Sequence, residues 1–375
     1  MTSIGTSTGH RPTVNVVVPC YRYGGYVTQT VTSILRNQHV DIDVLVIDDA
    51  SPDDSWDVVQ GLPHLDPRVR VVRNARNQGL IATANDGLEQ AKGDYVVLLS
   101  ADDALAPGWL DRGVDLLERT PHATFAKGPV RVFEGAHLPT LRKQRDLRSV
   151  VWPGHDWIAA SCDRGVTDVR SPEVIVRTSA QREAGGYNPK VPYSSDMEMW
   201  LRLAVLGDVV EVSGPIAAFY RFHPANMSRG KDLLGVGELD SNAAAFAEWR
   251  AGAGSQLDDA DALMARADHA LARAAVHKAR AAFLQDPGMF ERLCAFALEK
   301  DSEWARPEVA KLRARFGAPL ATRLRDRAAP VTEAVLRTRR RVPHLRARAG
   351  LYSAWVNDRL GTADHTRSGM KETGR

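Results

Sequence analysis

Four short apolar runs near the start of the chain alternate with segments that carry apolar residues at helical spacing. Runs of this length, rich in β-branched residues, are typical of buried strands in a parallel sheet. Strands that alternate with helices over short connections predict a doubly wound, mostly parallel α/β sheet. The predicted strands are Val14–Val18, stopped by Pro19, then Asp43–Ile47, Val69–Val72 and Tyr95–Leu99, and the predicted helices are Tyr26–Asn37 and Gly79–Ala91.

The pattern changes twice further along the chain. Residues 134–165 mix polar, basic and aromatic residues without a period, and no element is predicted there. A helix is predicted after Tyr193, with Asp196 at its N-cap position. The other predicted elements are a helix at Trp109–Glu118, strands at Ala123–Phe133 and Ser171–Arg177, and a short helix that ends at Ala184.

After Lys231 the sequence is dominated by Ala, Arg, Leu, Glu and Asp with helical periodicity, interrupted by prolines such as Pro287 and Pro307. We therefore predict an α/β domain over 13–235 and an all-helical region over 236–360, with disordered ends at 1–12 and 361–375. Within the helical region, Leu320–Trp355 is basic with interspersed apolar residues. Such a segment is typical either of a helix that lies on an anionic membrane or of a solvated helical face.

Length and composition are those of a globular protein. A chain of 375 residues is expected to hold two domains. Its net charge of +3 excludes no class of protein by itself. Three widely spaced cysteines argue against a disulfide framework. The amino terminus lacks an apolar signal core, and no stretch approaches the length of a membrane span. These features predict a cytoplasmic location, with membrane contact only from the surface.

Paired carboxylates follow two of the predicted strands: Asp48 and Asp49 after the second, Asp102 and Asp103 after the fourth. Ligands of open α/β sheets bind beyond the carboxyl ends of the strands, and carboxylates there suit a hard divalent cation. The alternative interpretation is an acidic turn before a helix. A glycine-rich dinucleotide fingerprint and a P-loop are both missing from the sequence, which excludes two common kinds of phosphate site.

Four segments in a fixed order resemble the inverting glycosyltransferases of family 2, which have the GT-A fold. The resemblance covers about Val14 to Ser228 and is carried by these segments: Val-Val-Val-Pro-Cys-Tyr-Arg, Val-Ile-Asp-Asp-Ala-Ser-Pro-Asp, Arg-Asn-x-x-Asn-Gln-Gly-Leu with Asn-Asp-Gly-Leu, and Gly-Asp-Tyr-Val-Val-Leu-Leu-Ser-Ala-Asp-Asp. It implies a GT-A-type sheet and transfer of a sugar from a nucleotide-diphosphate donor.

The resemblance implies a role for each matching position. Asp196 corresponds to the catalytic base, although Ser195 replaces the usual Glu before it, and Ser100 likewise stands where many relatives have Asp. Arg221 and Arg229 correspond to contacts with the diphosphate. The implied metal ligands for Mn²⁺ or Mg²⁺ are Asp102, Asp103 and His223, and the implied nucleotide-binding residues are Pro19, Tyr21, Asp49, Asn77, Asn85 and Asp102. For Asn77 and Asn85, the competing interpretation is a structural role in a turn or at a helix cap.

The expected activity is metal-dependent, inverting transfer from a UDP- or dTDP-sugar to a hydroxyl of a glycan or lipid-linked acceptor. Two other hypotheses remain open. One is a non-catalytic nucleotide-sugar-binding protein with a helical interaction module, and the other is a sugar nucleotidyltransferase. A nucleic-acid partner is not expected, because no nucleic-acid-binding module accompanies the basic segment.

Overall fold

The computed structural model describes residues 11–37, 39–141, 146–224, 226, 235–283 and 286–316. The strands are β1 (Thr13–Cys20), β2 (Asp41–Asp48), β3 (Val69–Arg73), β4 (Tyr95–Leu98), β5 (Ala104–Leu105), β6 (Ala123–Lys127), β7 (Val130–Phe133), β8 (Arg148–Trp152), β9 (Ile175–Arg177), β10 (Asp208–Ser213) and β11 (Ala218–Arg221). The helices are α1 (Gly24–Leu35), α2 (Ser55–Val59), α3 (Leu80–Glu89), α4 (Trp109–Glu118), α5 (Gly154–Arg164), α6 (Thr178–Ala184), α7 (Ser195–Leu206), α8 (Val236–Ala251), α9 (Ala260–Ala282), α10 (Pro287–Lys300) and α11 (Ser302–Phe316).

Eight strands form the main sheet, in the order β3-β2-β1-β4-β9-β6-β10-β8. The first four are parallel to their neighbours, with Val16 opposite both Val44 and Val97, and β6 is parallel to β10. Within the described part of this sheet, the antiparallel pairings are those of β9 and β8. The predicted doubly wound, mostly parallel sheet is therefore confirmed, and the carboxyl ends of β1, β2 and β4 meet at one edge.

Helices cover the sheet because the strands are apolar on both faces. α1 buries Val27, Val31 and Ile34 against it. α3 approaches so closely at Gly87 that a Cβ there would collide with Val17, which is a close approach that only glycine permits. The contact brings the start of α3 to the edge where β1 and β2 end.

The predicted strand at Ala123–Phe133 is two strands. β6 ends at Lys127, and β7 joins β5 and β11 in a separate sheet, in the order β5-β11-β7. The break lies at Gly128, where a Cβ would come within 2.8 Å of Ala217 and of the Trp109 ring. The alternation of apolar residues continues through the break, so the pattern could not show that the strand changes sheet.

Three other predictions of local structure are wrong in detail. The segment without a predicted element contains β8 and α5; β8 is an edge strand whose residues are largely exposed, so it lacks the apolar alternation of a half-buried strand. Ser171–Glu173 is a turn of 3₁₀ helix before the short strand β9. Pro307 lies inside α11 and does not end it.

The helices after β11 pack on the sheet domain. The described residues up to Leu312 form one compact unit, and the predicted boundary at 235/236 lies within it. α8 packs against α7, and α9 packs against α5, α8 and α10. The predicted all-helical region is present as far as Phe316. The start of α10 at Pro287 is set by Asp286, which accepts a hydrogen bond from the Met289 N–H at 2.9 Å.

Several predictions fall on residues that the structure does not describe. The basic segment Leu320–Trp355 and the tail 361–375 lie outside the described residues, as do residues 1–10. Among the helices described, none is long and apolar enough to cross a membrane. All three cysteines are buried.

Candidate active site

Asp102 and Asp103 lie in the turn between β4 and β5, at the carboxyl edge of the main sheet, and both are buried. Helix α1 fixes this turn, because the Thr30 hydroxyl hydrogen-bonds the backbone carbonyls of Ala101 at 2.8 Å and Asp103 at 2.6 Å. The sequence pattern of an apolar run followed by two carboxylates thus places both acids at the predicted edge.

His223 joins this pair from the loop after β11. Its Nε2 lies 2.9 Å from Asp102 Oδ2, and its ring contacts the rings of Tyr23 and Tyr26, each at a centroid distance of 5.6 Å. Asn226 shapes the loop: its side chain accepts from the His223 N–H at 2.5 Å and donates to the Arg221 carbonyl at 3.0 Å. Residues 121 positions apart in the sequence are therefore in direct contact.

The two carboxylates of the pair have different surroundings. Asp102 Oδ1 is buried without a hydrogen-bond partner among the described residues. Asp103 Oδ1 accepts the backbone N–H of Arg221 at 2.8 Å. Burial first, and the neighbouring Asp102 charge second, raise the pKa of Asp103 well above its usual range. Asp102 Oδ1 is therefore an acceptor that no described residue uses.

The three side chains predicted as metal ligands do not form a ready-made cluster. Within the described part of the chain, no three His, Cys, Asp or Glu side chains are grouped as a bound metal would require. Mg²⁺-like cations are commonly held by one or two carboxylates, with water and substrate phosphates completing the shell. Asp102 Oδ1, which has no partner, belongs to the side chain that contacts His223 and fits this mode of metal binding. The described residues do not supply a complete set of metal ligands by themselves.

Arg221 is not placed as predicted. Its side chain is buried between the rings of Tyr26 and Phe133, at 4.4 Å and 4.5 Å from their centroids. Its Nε donates to the Asp102 carbonyl at 2.7 Å, and its other nitrogens donate to Gly135 and Gln29. Because these bonds and rings occupy the guanidinium, it holds the Asp102 turn in place and is not available to a diphosphate. Arg229 lies outside the described residues.

Asp49 follows β2 at the same edge and is buried. Its Oδ1 accepts from the Asn74 side chain at 2.8 Å and from the Gln78 N–H at 2.9 Å, while Oδ2 accepts from the Gly79 N–H at 2.8 Å. The carboxylate thus orders the turn that leads into α3, and a role in base recognition stays a prediction. The sequence analysis missed Asn74, whose only signal was its place inside the Arg-Asn-x-x-Asn motif.

The two asparagines predicted near the nucleotide form hydrogen bonds with backbone groups. Asn77 is exposed and accepts from the Gly79 N–H at 3.0 Å, as in a local turn. Asn85 donates to the Tyr187 carbonyl at 3.0 Å and accepts from the Tyr187 N–H at 2.7 Å. Both ends of the Asn85 amide therefore engage backbone and tie α3 to the turn before α7, and nucleotide binding by Asn85 stays a prediction.

Pro19 and Tyr21 flank the end of β1. Pro19 is still part of the strand, opposite Ile47, and Tyr21 is exposed in the following loop. The adjacent Arg22 has φ of 62°, and Ala50 after β2 has φ of 54°, a conformation that costs energy for residues other than glycine. The Arg22 N–H donates to the Ser51 hydroxyl at 3.0 Å, which joins the two loops. Contact of Pro19 and Tyr21 with a base stays a prediction.

Asp196 lies in the first turn of α7, but it is not the N-cap. Ser194 has that position, so the cap prediction is wrong by two residues. The half-buried Asp196 carboxylate accepts the Met197 N–H at 2.8 Å. Burial raises its pKa above the usual value, while hydrogen bonds from Met197 and the Ser171 side chain and the charge of Arg170 lower it.

The 3₁₀ turn Ser171–Glu173 connects Asp196 with the acidic pair. The Ser171 side chain lowers the pKa of Asp196, and the turn packs against β4, β5 and β11. The charge of Glu173 contributes to the raised pKa of Asp103. The structure thus brings the carboxylates of three distant segments to one edge of the sheet.

Glu173 is a second residue that the sequence analysis missed. It is buried, its Oε1 accepts the Arg170 N–H at 2.8 Å, and its Oε2 has no partner among the described residues. Burial raises its pKa to about 8. The predicted strand at Ser171–Arg177 gave no reason to expect a buried acid, so only the tertiary structure could reveal it.

Comparisons with known proteins point to glycosyltransferases. Residues 15–166 match the model of the family "Glycosyl transferase family 2". An uncharacterized glycosyltransferase of Haemophilus influenzae is 24% identical over 215 residues, which are 56% of this chain and 66% of the relative. The putative teichuronic acid biosynthesis glycosyltransferase TuaG of Bacillus subtilis is 30% identical over 132 residues, 35% of this chain and 52% of the relative.

A solved structure shares the fold. The crystal structure of S. aureus TarS 1-349, in complex with UDP-GlcNAc, superposes with a TM-score of 0.59 and 15% identity, covering 80% of this chain and 92% of that one. The chain is thus similar in sequence to glycosyltransferases of family 2 over residues 15–166, and it shares the GT-A fold. It spans between about half and two thirds of the length of the two curated relatives.

Proposed function

We propose that the protein transfers a sugar from a UDP- or dTDP-sugar to a hydroxyl of a glycan or glycolipid acceptor, by metal-dependent single displacement with inversion. The observation that carries the proposal is one sheet edge with two distinct carboxylate sites. The buried Asp102–His223 pair has an orphaned oxygen, and the separate carboxylate Asp196 is oriented by Met197 and Ser171. Sugar transfer by single displacement requires one site for departure of the leaving group and a second for removal of the proton from the acceptor.

The Asp102 site suits the donor diphosphate. Asp102 with His223, and Asp103 beside them, would hold Mn²⁺ or Mg²⁺, which neutralises the charge that develops on a departing nucleoside diphosphate. Arg221 fixes the Asp102 carbonyl, and its backbone N–H fixes Asp103. These bonds keep both carboxylates directed at one edge before the donor arrives.

Asp196 suits the acceptor. An ordinary carboxylate is a weak base towards an alcohol, so it must take the proton as the new bond forms. A raised pKa makes Asp196 a better base, and the backbone N–H of Met197 fixes its orientation. Transfer in one displacement gives inversion and no covalent sugar–enzyme intermediate.

The preference for uracil or thymine rests on Asp49. One of its oxygens, Oδ2, accepts a single hydrogen bond from the protein in the described structure, and a carboxylate oxygen can accept more than one. An imide N–H of uracil or thymine matches such an acceptor. TarS, which shares the fold, was solved with UDP-GlcNAc, in line with a uridine donor.

The test is calorimetric binding of UDP-, dTDP- and GDP-sugars with Mn²⁺, with Mg²⁺ and without metal, followed by donor hydrolysis. Asp102→Asn is expected to lose the metal-dependent part of binding. Asp196→Asn is expected to bind the donor normally and to lose turnover by at least about a hundredfold, the size of a general-base contribution. Asp115→Asn, an exposed acid of α4, is the matched control.

The same experiment separates the competing hypotheses. Binding of nucleotide sugar without turnover by the wild type would favour a non-catalytic binding protein. Production of nucleotide sugar from sugar phosphate and nucleoside triphosphate would favour a nucleotidyltransferase. No metal-dependent binding of any donor would contradict the proposal. A peripheral location on the inner face of the cell membrane stays a prediction, because the basic segment that suggests it lies outside the described residues.

A further inference from the structure

Resting on the proposed function, we infer that Tyr26 is a positioning residue for the metal site. Its ring fixes the imidazole of His223 beside Asp102, and this orientation lets His223 act as a metal ligand. Tyr26 lies in the first turn of α1, and no role was predicted for it from the sequence. It supplies no ligand itself and acts through His223.

The rings of Tyr23, Tyr26 and His223 contact one another. The Tyr26 ring is stacked on the imidazole, with 22° between the planes and 5.6 Å between the centroids. The Tyr23 ring meets the imidazole at 74° and 5.6 Å, and the two tyrosine rings are 6.2 Å apart. Stacked and edge-to-face arrangements at these distances are the favourable geometries of aromatic pairs. The two tyrosines therefore fix the plane of the imidazole.

The fixed imidazole is directed at the acidic pair. His223 Nε2 lies 2.9 Å from Asp102 Oδ2, and the two side chains are only 11% and 4% exposed. A histidine binds a metal through the lone pair of one ring nitrogen, so the orientation of the ring decides whether it can act as a ligand. Loss of a group that orients a metal-binding histidine typically costs about 10- to 100-fold in metal affinity.

The position of Tyr26 is set by the start of α1. The Tyr26 N–H donates to the Tyr23 carbonyl at 2.9 Å, and the Gly24 N–H donates to the Ser55 hydroxyl at 2.9 Å. A Cβ at Gly24 would come within 2.8 Å of the Ser55 Cα, so the start of α1 is packed closely against α2. The ring that orients His223 is thus held in place by the fold, before any ligand binds.

Tyr26 also contacts Arg221, but Arg221 has other anchors. The guanidinium lies 4.4 Å from the centroid of the Tyr26 ring and 4.5 Å from that of Phe133. It donates as well to the Asp102 carbonyl and to two other groups. Removal of the Tyr26 ring is therefore expected to leave the Asp102 turn in place and to act mainly on His223.

The experiment measures Mn²⁺ binding to the full chain in the presence of UDP. Calorimetry gives the Mn²⁺ affinity and, without metal, the UDP affinity. Electron spin-echo modulation of the bound Mn²⁺ detects the nitrogen of a coordinating imidazole. The wild type is expected to show this nitrogen signal and His223→Ala to lose it.

Tyr26→Leu is expected to weaken Mn²⁺ binding about tenfold and to reduce the nitrogen signal, while the affinity for UDP without metal stays unchanged. Tyr26→Phe keeps the ring and should restore both the Mn²⁺ affinity and the signal. A merely structural role of Tyr26 would not change the nitrogen signal.

The matched control is Trp304→Leu. The Trp304 ring contacts the His269 imidazole at a centroid distance of 5.2 Å, and His269 Nδ1 lies 2.7 Å from Asp301 Oδ2. This variant therefore removes an aromatic ring from another histidine that contacts an aspartate, in helices that carry no residue of the candidate site. It should leave Mn²⁺ affinity and the nitrogen signal unchanged, and urea unfolding compares its stability with that of Tyr26→Leu.

Four results would overturn the inference. The wild type could bind Mn²⁺ without a nitrogen signal that depends on His223, or Tyr26→Leu could bind Mn²⁺ as the wild type does. Tyr26→Phe could be as weak as Tyr26→Leu, or Trp304→Leu could weaken Mn²⁺ binding equally.

Failure of the proposed function is seen separately. If the variants behave as expected but no sugar is transferred, the proposed transfer fails and the role of Tyr26 holds. No Mn²⁺ binding by the wild type with UDP would overturn the inference and the proposed metal dependence together.

Discussion

At the scale of single residues, the surroundings of each carboxylate set its chemistry. Asp49 is held by three hydrogen bonds, Asp196 by the Met197 N–H and the Ser171 side chain, and Asp102 keeps one oxygen without a partner. Glu173 has no charge partner within salt-bridge distance in the described structure and is buried. Burial raises the pKa of Asp196 and that of Glu173, because it disfavours the charged form of a carboxyl group.

The pH dependence of turnover is expected to report Asp196. The base must be ionised, and its pKa is raised by burial, so activity should fall as the pH drops through that raised pKa. Ser171→Ala removes a hydrogen bond that lowers the pKa, and the acid limb of kcat against pH should therefore move to higher pH. Ser171→Thr, which keeps the hydroxyl, is the control. An unmoved limb in Ser171→Ala would contradict the assignment.

Glu173 is expected to make stability depend on pH. Its pKa is raised to about 8 in the folded protein, so folding favours the protonated form, and its destabilising effect grows as the pH rises from the unfolded value through 8. Glu173→Gln should therefore raise the Tm at pH 8.5 more than at pH 5. Thermal unfolding of both proteins at the two pH values measures this, and an equal change at both would show that Glu173 does not titrate as described.

At the scale of elements, the loops after β1 and β2 carry strain where they meet. Ala50 has φ of 54° and Arg22 has φ of 62°, and the loops are joined by the bond from Arg22 to Ser51. Strained backbone of this kind clusters at functional sites, where the surrounding structure enforces it. At the same edge, two hydrogen bonds between Asn85 and Tyr187 join α3 to the turn before α7.

Ala50→Gly is expected to stabilise the protein by about 0.5 kcal/mol, because relief of left-handed strain exceeds the entropy cost of glycine. Ala82→Gly in α3 has an ordinary helical backbone and should destabilise by about 1 kcal/mol. Urea unfolding of both variants gives the comparison. A loss of stability in Ala50→Gly as large as in Ala82→Gly would show that no strain is relieved.

Asn85→Ala is expected to destabilise by about 1–3 kcal/mol, since it leaves the Tyr187 N–H and carbonyl without their partners. Donor affinity should change little, because the amide is engaged with backbone. Calorimetric donor binding together with urea unfolding checks both parts. A selective loss of donor affinity at unchanged stability would show that Asn85 binds nucleotide.

At the scale of the whole molecule, the sheet and the helices α8–α10 form one compact unit. Trp249 of α8 is fully buried, and a Cβ at Gly254 would lie 2.9 Å from its ring. The candidate site shares this unit, because α7, which carries Asp196, packs against both β6 and α8. Loss of the helices is therefore expected to disturb the base as well as the fold.

Trp249→Ala is expected to cost about 3–5 kcal/mol, the usual cost of emptying a large buried aromatic site. Unfolding of this variant should remain a single transition, with far-UV circular dichroism and tryptophan fluorescence coinciding. Trp304→Ala, at a half-buried position of α11, should cost less. Separate transitions for the two probes would show that the helices fold as an independent domain.

The sequence by itself determined the parallel sheet, its first four strands and the acids at their ends, because buried strands need continuous apolar runs and the edge beyond them is polar. It also supported the resemblance to family 2, whose model matches residues 15–166. These properties depend on local periodicity and on short motifs, and each can be recognised within about ten residues.

Only the tertiary structure decided which of these residues are available to a substrate. Arg221 and Asn85 have the residue types of binding groups, yet buried hydrogen bonds with distant segments occupy them. Asp102 has one oxygen without a partner, and Glu173 is buried. Both facts depend on neighbours that come from segments far away in the sequence. Hydrogen-bond satisfaction is a property of the folded neighbourhood, and no local pattern encodes it.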